Sequence, residues 1–351
     1  MIVAVGLSGG VDSAVAAALL KEKGHQIVGV TAIVWPDSRC CSESAILEAQ
    51  KICHQLDIKH YLIDLTREFK KDVVDDFVSE YLNARTPNPC TRCNFFIRFG
   101  EMYNKIKKHI ELDFGVSDVS IATGHYAQVL QKGCDFVLKE GKDKQKDQSY
   151  MLYRLNQSQL ENLLLPLGKL TKVKVRKLAK KYNLSPADRA DSQDACFVDD
   201  NYQNFISNYT DQVITPGNFV DASGKVLGKH KGLPFYTIGQ RRGLGISAKE
   251  RLYVVKLDPT KNEIILGIEK DLEAIELFAK DVHWVNRKPD KLSCIECKIR
   301  YNSEKFKANV ELLSGQRAKV LFKKSQSAVT PGQNVVFYHK DTVLGGGVIE
   351  N

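Results

Sequence analysis

Residues 2–13 read IVAVGLSGGVDS, and this stretch decides the fold of the first part of the chain. Ile2 to Leu7 alternates β-branched and small apolar residues, a pattern typical of a buried parallel strand. After a glycine turn, AVAAALLKEKG predicts a helix that ends at Gly24. HQIVGVTAIVW follows as a second strand. The order strand, turn, helix, strand predicts the βαβ unit of an open parallel sheet.

The turn itself has the chemistry of an anion site. Gly9 and Gly10 allow positive φ and close approach of the backbone, and Ser8 and Ser13 offer hydroxyls. The new helix directs its first N–H groups and its dipole at the turn. The string matches neither a Walker A loop nor the dinucleotide pattern G-x-G-x-x-G. On glycines alone, a plain tight turn is the alternative.

The α/β rhythm continues along the chain. The segments that repeat it are helix 44–56, strand 59–65, helix 72–84 and strand 119–123. The last strand ends in Gly124 and His125. Because ligands gather at the carboxyl ends of strands in such sheets, we expect both residues to face the same crevice as the glycine turn.

Length and composition limit the class of protein. A chain of 351 residues is long enough for two or three domains, and 43% apolar residues indicate a folded chain. No apolar run reaches the roughly 18–20 residues of a membrane span, and the N-terminus does not resemble a signal peptide. We therefore expect a cytoplasmic protein without membrane contact. Most of the net charge of +9 lies in residues 201–351, where a polyanion could dock; a solvated surface is the alternative.

One cysteine pair lies in a loop, TPNPCTRCN at residues 86–94. Cys93 leads into a helical pattern, and a thiol near a helix N-terminus has a lowered pKa. Arg92 and Arg98 are further candidates for stabilising its thiolate. A C-x-x-C pair alone leaves open a redox pair, metal ligands or a nucleophile with its neighbour.

The other cysteines give weaker signals. Cys294 and Cys297 repeat the C-x-x-C spacing within a strand-like run, where their side chains point to opposite faces, so we expect packing rather than zinc ligation. Cys196 lies in DSQDACFV at residues 191–198. The cysteines interpreted as structural thiols are Cys40, Cys41, Cys53 and Cys134. The odd total of nine disfavours a disulfide framework.

Seven motifs in order resemble those of the tRNA-specific 2-thiouridylases, in the N-type ATP pyrophosphatase superfamily. They are GLSGGVDS, TPNPCTRCNFFIRF, ATGHYA, KDQSYMLY, DSQDACFV, GLPFYTIGQRRGLGI and TPGQNVVFY…LGGGVIE. The resemblance runs from Gly6 to Glu350 and implies an α/β fold. Its expected parts are a doubly wound parallel sheet of the ATP pyrophosphatase type (1–200), a small β-rich, tRNA-contacting central domain (201–278) and a C-terminal β-barrel (279–351).

The resemblance also implies site residues. Cys93 matches the catalytic nucleophile, and Cys196 matches the cysteine that carries a persulfide. The residues that match ATP-binding positions are Gly6, Leu7, Ser8, Gly9, Gly10, Val11, Asp12, Ser13, Ala32 and Gly124. The residues that match tRNA-contacting positions are Asn88, Pro89, Cys90, His125, Lys146, Asp147, Gln148, Arg300, Tyr301 and Gln333.

One position departs from the family. Many members have Asp where this chain has Cys90. A thiol there could join Cys93 and Cys196 as a third soft ligand, and three thiolates could hold an iron–sulfur cluster with one open iron. Related thiolation enzymes use such clusters, so this reading stands beside plain persulfide chemistry.

The implied reaction is ATP-dependent 2-thiolation of the wobble uridine of tRNA, with Mg²⁺ offsetting phosphate charge. Asp12 is the candidate metal-linked carboxylate; as an alternative, it only caps the helix at Ala14. The uridine C2 oxygen attacks the α-phosphate and pyrophosphate leaves. Sulfur then comes from a persulfide on Cys196, replenished by a sulfur-donor or sulfur-relay protein. Cys93 either attacks the persulfide and releases hydrosulfide, or attacks C2 itself; AMP leaves in both routes, and a Cys93–Cys196 disulfide then needs reduction.

The second half of the sequence predicts β-structure. Short strands alternate with turns such as 221–224 and 258–262, and six strands after residue 279 predict a small barrel. Gln240, Arg241 and Arg242 lie between glycines and could grip phosphates. The competing functions are another ATP pyrophosphatase, such as an argininosuccinate synthase-like or tRNA-lysidine-forming ligase, and a nucleic-acid-binding adaptor. Neither requires the pair Cys93 and Cys196.

Overall fold

Three β-sheets organise the computed structural model, which describes residues 1–36, 42–184, 195–198, 201–289 and 292–350. The strands of the first part are β1 Ile2–Gly6, β2 Gln26–Ile33, β3 His60–Asp64, β4 Val119–Ala122, β5 Ala127–Lys132, β6 Asp135–Glu140 and β7 Leu163–Leu164. Those of the middle are β8 Gly217–Val220, β9 Val226–His230, β10 Tyr253–Asp258 and β11 Glu263–Gly267. Those of the last part are β12 Glu273–Trp284, β13 Ile295–Lys298, β14 Phe306–Leu313, β15 Arg317–Ser327, β16 Asn334–His339 and β17 Thr342–Ile349.

The helices concentrate in the first part of the chain. The α-helices are α1 Val11–Glu22, α2 Glu43–Gln55, α3 Thr66–Phe69, α4 Asp75–Leu82, α5 Pro89–Arg92, α6 Met102–Phe114, α7 Gln157–Glu161, α8 Lys172–Lys181 and α9 Tyr202–Tyr209. A π-helical stretch, Lys70–Val74, joins α3 to α4, and another, Cys93–Glu101, joins α5 to α6. Short 3₁₀ helices lie at Ser149–Leu152, Leu233–Phe235 and Glu269–Leu272. None of the described helices is both long and apolar enough to span a membrane.

The N-terminal sheet is parallel, in the order β3-β2-β1-β4-β7. Its central strand is buried on both faces, because Ile2 and Ala4 pack in one apolar core while Val3 and Val5 pack in another. The near-continuous apolar run of β1 requires this double cover. The chain leaves β1 towards β2 on one side and returns to β4 on the other. The carboxyl ends of β1 and β4 are therefore the switch point at which such sheets bind ligands.

The middle of the chain forms a four-stranded sheet in the order β10-β11-β8-β9. The two turns predicted from sequence connect antiparallel neighbours, β8 to β9 and β10 to β11. Phe219, Val254 and Ile264 are fully buried in the small core of this sheet. The β-rich central unit predicted from sequence is therefore present.

The last six strands form a closed antiparallel barrel, in the order β12-β15-β14-β13-β16-β17 with β12 pairing back onto β17. This confirms the predicted barrel, although the predicted boundary at residues 278 and 279 falls inside β12. The hairpin of β5 and β6 extends the barrel sheet through the pairing of Lys139 with Thr342. The barrel is thus joined directly to the N-terminal part of the chain.

Candidate active site

The glycine turn between β1 and α1 has the geometry of an anion site. Gly9 has a φ of 67°, and a Cβ there would lie 2.7 Å from the carbonyl oxygen of Ala45, so only glycine fits. Gly10 is the N-cap of α1, and no side chain caps this helix end within the described chain. Ser13 Oγ donates to the Gly10 carbonyl and accepts from the Ser8 N–H at 3.3 Å. The first N–H groups of α1 are thus directed at the crevice.

Gly124, at the end of β4, lies directly against the start of α1. A Cβ on Gly124 would lie 2.7 Å from the backbone carbon of Asp12 and 2.8 Å from the backbone nitrogen of Ser13. The structure therefore places Gly124 beside the glycine turn, where the sequence predicted it. Ala32 lines the same crevice from β2.

Asp12 does not have the capping role that was one of its two predicted roles. It lies inside the first turn of α1, so it does not cap the helix. Its carboxylate receives the Lys172 ammonium at 2.7 and 2.9 Å and the Tyr126 hydroxyl at 2.7 Å. A carboxylate has about four acceptor positions, so these contacts do not exclude a metal ion, and the link of Asp12 to Mg²⁺ stays a prediction. The positive charge beside the turn comes from Lys172, whose residue surface is only 8% exposed.

The two predicted catalytic thiols line one cavity together with the glycine turn. The cavity is lined by Gly6, Leu7, Ser8, Val30, Ala32, Val34, Cys93, Ile97, Arg98, Met102 and Cys196. Cys93 and Cys196 are both half-buried. Arg98 is the charged member of this otherwise largely apolar lining. The arrangement brings the start of the glycine turn, two thiols and a guanidinium to one crevice at the carboxyl ends of the strands.

Cys93 owes its position to a helix that begins just before it. The Asn88 side chain accepts from the Cys90 N–H at 3.2 Å and caps α5, and Pro89 occupies the first helical position. Cys93 then begins the π-helical stretch, a distortion that is frequent at functional sites. Arg92 points elsewhere, since its guanidinium pairs with Asp76 at 3.2 Å. Of the two arginines predicted to stabilise the thiolate, only Arg98 lines the cavity.

Cys196 lies on a short described segment, residues 195–198. Its neighbour Phe197 anchors this segment through edge-to-face contacts with three rings, at centroid distances of 5.1 to 5.5 Å. Those rings belong to Phe69, Phe77 and Phe205. The preceding residues of the DSQDACFV motif, 191–194, lie outside the described residues. The anchor explains how a turn presents this thiol to the cavity.

Cys90 does not join the other two thiols. It is exposed and is absent from the cavity lining to which Cys93 and Cys196 contribute. Across the described ranges, no three His, Cys, Asp or Glu side chains converge as metal ligands do. The three cysteines as placed therefore do not fit a shared iron–sulfur cluster.

Several predicted tRNA-contacting residues converge beside the Cys93 helix. The Tyr301 ring lies 6.2 Å from that of Tyr150, and burial, with the charges of Asp147 and Cys90 nearby, raises the pKa of Tyr301 to about 12. Arg300 is exposed, and its guanidinium donates to the Ser327 carbonyl at 2.7 Å. The barrel residue Tyr301 thus lies near residues of the N-terminal part of the chain.

Other members of the predicted tRNA set have internal partners. Asp147 is 5% exposed, and its carboxylate accepts from Gly141 and Ser149, so it holds its loop together. Gln148 accepts from the Tyr126 N–H at 3.0 Å. Gln333 donates to the Thr86 carbonyl at 2.8 Å. Lys146 is half-buried on the same loop.

His125 lies between the crevice and the Cys93 helix. Its ring is 5.9 Å from that of Phe99, and its Nδ1 is 2.7 Å from the Thr123 hydroxyl. Burial, with the charge of Arg98 adding to it, lowers the pKa of His125 to about 3. The imidazole is therefore neutral at physiological pH and offers hydrogen bonds rather than charge.

The remaining described cysteines fit structural roles. Cys53 is 2% exposed, and burial raises its pKa to about 12. Cys297 is fully buried, and burial raises its pKa. Cys294 is exposed and lies just before β13 with a φ of 55°, so the pair does not alternate along one strand as predicted. Cys134 is exposed on the turn between β5 and β6. Cys40 and Cys41 lie outside the described residues.

Lys172 and Asn334 are the site residues that sequence reasoning missed. Lys172 follows the N-cap Thr171 of α8, where a positive charge opposes the helix dipole. A lysine at the first position of a predicted helix is the sequence signal that points to Lys172. Asn334 carried none, because its contacts join segments more than 180 residues apart.

Three family models match successive parts of the chain. The tRNA methyl transferase HUP domain matches residues 1–200, and the tRNA methyl transferase PRC-barrel domain matches residues 203–268. The aminomethyltransferase beta-barrel domain matches residues 274–349. The three matches follow the three sheets of the fold.

Two curated relatives match nearly the full length. The tRNA-specific 2-thiouridylase MnmA of Clostridium perfringens is 42% identical over 99% of this chain and 98% of its own. The tRNA-specific 2-thiouridylase MnmA of Carboxydothermus hydrogenoformans is 43% identical over 99% of this chain and 97% of its own. Identity at this level and coverage shows common family membership.

A solved structure with partial likeness is the U34-tRNA thiolase NcsA from Methanococcus maripaludis with its [4Fe-4S] cluster. It covers 60% of this chain and 64% of its own, with 22% identity and a TM-score of 0.32. A likeness of this size carries no argument about the chemistry of the present chain.

Proposed function

Because the chain belongs to the tRNA-specific 2-thiouridylase family, we propose that it thiolates the C2 position of the wobble uridine of tRNA at the expense of ATP. The observation that carries the proposal is the single cavity lined by the turn residues Gly6 to Ser8 and by Cys93 and Cys196. Activation of the uridine by a nucleotide and transfer of sulfur to it both require the turn and the thiols to lie at the same cavity. Competing ATP pyrophosphatase reactions use no thiol pair, and a binding adaptor needs neither feature.

In the first step, ATP lies with its phosphates on the glycine turn. The first N–H groups of α1 and the Ser8 hydroxyl are the donors for the polyphosphate. The Lys172 ammonium directs two of its three N–H groups at Asp12, and the third adds a further charged donor. The uridine C2 oxygen attacks the α-phosphorus, the bond to the β-phosphate oxygen breaks, and pyrophosphate leaves with the electron pair. The target base has to leave the anticodon stack to reach the cavity. Arg98 is placed to offset charge on the transferred nucleotidyl group.

In the second step, Cys196 carries the sulfur as a persulfide. The Cys93 thiolate attacks the inner sulfur, which forms a Cys93–Cys196 disulfide and releases hydrosulfide. Hydrosulfide adds to C2 and AMP leaves, giving 2-thiouridine. A cellular dithiol then reduces the disulfide to restore both thiols, and a sulfur-donor protein reloads Cys196. The shared cavity supports this sequence, because the released hydrosulfide is used where it forms.

Steady-state thiolation of a tRNA transcript tests the proposal. Wild-type protein with ATP, a cysteine desulfurase, cysteine and dithiothreitol is expected to give tRNA retarded on mercury-containing gels. Cys93→Ser and Cys196→Ser are each expected to lower the rate at least about 10³-fold. The matched control Cys134→Ser removes an exposed thiol outside the cavity lining and is expected to keep the wild-type rate.

A parallel reaction tests the methyl transfer named in the matched domain descriptions. S-adenosylmethionine with a labelled methyl group replaces ATP and the sulfur donor. No label is expected to enter the tRNA. Methylated tRNA without any thiouridine in the first reaction would overturn the proposed function.

A further inference from the structure

Asn334, at the start of β16, is a buried junction of three segments. It is 2% exposed. Its backbone carbonyl accepts from the Tyr150 hydroxyl at 2.8 Å, and its side-chain oxygen accepts from the Tyr153 hydroxyl at 3.0 Å. Its side-chain nitrogen donates to the Thr91 hydroxyl at 3.3 Å. One barrel residue therefore meets both the segment after the 146–148 loop and the segment before Cys93.

Thr91 passes this contact towards the reactive cysteine. It is 2% exposed and lies two residues before Cys93, in the first turn of the helical run that carries the thiol. Its hydroxyl accepts from Asn334 and donates to the Asn88 carbonyl at 3.0 Å. Asn88 in turn caps the helix through the Cys90 N–H. The start of the Cys93 helix is thus held by a continuous chain of hydrogen bonds from the barrel.

Neighbouring barrel residues hold the segment before Thr91. The Thr86 N–H donates to the Pro331 carbonyl at 2.8 Å, and the Gln333 side-chain amide donates to the Thr86 carbonyl at 2.8 Å. The Arg85 guanidinium donates to the Ile349 carbonyl at 2.9 Å. Residues 85–91 are therefore fixed from one side by the barrel turn at 331–334 and the end of β17.

The contacts of the Asn334 side chain are not needed to build the barrel. The ladder that joins β16 to β17 is made by backbone groups, and the pairing of Asn334 with Val348 uses none of the side-chain atoms. The side chain instead forms hydrogen bonds with the hydroxyls of Tyr153 and Thr91, which both lie outside the barrel. Removing it would leave buried hydroxyls without their partner, which is costly where water is excluded.

We propose that Asn334 is a positioning residue for Cys93, acting through Thr91 to set the start of the helix that presents the nucleophile. The proposal rests on the proposed function, because it is in that reaction that Cys93 acts. It assigns the barrel a part in the chemistry of the N-terminal cavity.

A double-mutant cycle in the full-length chain tests this coupling. Asn334→Ala and Thr91→Val are each expected to lower kcat for thiolation about tenfold while the KM for ATP stays within about twofold. The double variant is expected to be no slower than either single variant, and Thr91→Ser, which keeps the hydroxyl, is expected to restore the wild-type rate. Val320→Ala, a buried barrel substitution elsewhere, is the control for stability alone.

The alkylation rate of Cys93 against pH, followed by mass spectrometry without ATP or tRNA, gives a second readout. A profile altered in Asn334→Ala and Thr91→Val but not in Val320→Ala supports positioning. Additive losses of kcat, or losses equal to those of Val320→Ala, would overturn it. If the wild type makes no thiouridine, the proposed function fails, and an unchanged alkylation profile in Asn334→Ala separately overturns the positioning role.

Discussion

The ion pair of Lys172 with Asp12 brings two helix starts together beside the glycine turn. Removing two charges from water costs free energy that their attraction often fails to recover, so such a pair is weak evidence for stability. A lysine at a helix start also opposes the dipole. The desolvation of the ion pair and the unfavourable interaction with the dipole are both explained if the Lys172 ammonium binds the polyphosphate of ATP. Sequence patterns pointed to Asp12 but not to its partner, which lies 160 residues away.

Lys172→Met tests that role, because methionine keeps the length of the side chain and removes its charge. The KM for ATP in tRNA-dependent pyrophosphate release is expected to rise about 10- to 100-fold, the usual range for a lost charged hydrogen bond. Lys174→Met, on the exposed side of the same helix, is the matched control. Combining Lys172→Met with Asp12→Asn avoids leaving the half-buried Asp12 carboxylate without its cation. An unchanged ATP dependence in both Lys172 variants would remove Lys172 from the site.

At the scale of elements, sequence patterns predicted the strands and helices that depend on interactions between residues close in sequence. The alternation in β1, the glycine turn and α1 follow from residues that are neighbours in sequence. The π-helical stretch at Cys93–Glu101 could not be predicted, because its hydrogen-bond register depends on packing against other segments. The same holds for the hairpin of β5 and β6, whose pairing with β17 joins residues 203 positions apart at Lys139 and Thr342.

Gly332 offers a test of the turn that holds the Cys93 segment. Its φ is 90°, and a Cβ there would lie 2.8 Å from the Thr86 nitrogen. Gly332→Ala is therefore expected to lower the free energy of unfolding by roughly 3 kcal/mol and to slow thiolation. Gly315→Ala is the control, since its φ is 69° but a Cβ would meet only open space within the described chain. It should cost about 1 kcal/mol, with normal thiolation. Equal losses of thermal stability and activity in the two variants would contradict the account.

At the scale of the whole molecule, the positive charge of the later residues now has a place in the fold. The central sheet and the barrel carry it, while the near-neutral N-terminal part carries the cavity. The order of the motifs predicted this division, because the first five motifs fall in residues 1–200, the sixth falls in the central unit and the last falls in the barrel. The contacts of Tyr301 with Tyr150 and of Gln333 with Thr86 could not be predicted from spacing, since long-range packing decides them.

Arg241 and Arg242, exposed on a loop of the central unit, test the placement of RNA on these units. Replacing both with Ala is expected to weaken tRNA binding and to reduce the slope of log K against log salt by roughly 1–2. The control replaces Lys23, which is exposed at the C-terminal end of α1, and Lys51, which is exposed on α2. Filter binding between 50 and 200 mM salt, over which the Debye length falls about twofold, measures both. Equal salt slopes for the two double variants would argue against tRNA binding at the loop that carries Arg241 and Arg242.

Single-turnover thiolation tests whether ATP, Cys93 and a persulfide on Cys196 act together in one thiolation reaction. Protein loaded with a persulfide on Cys196 is mixed in excess with a tRNA transcript and ATP, with no further sulfur donor, and 2-thiouridine, AMP and pyrophosphate are counted together. Equal amounts of all three products are expected, and no thiouridine is expected without ATP or in Cys93→Ser. Thiouridine formed without ATP, or formed equally well by Cys196→Ser under the same loading, would contradict it.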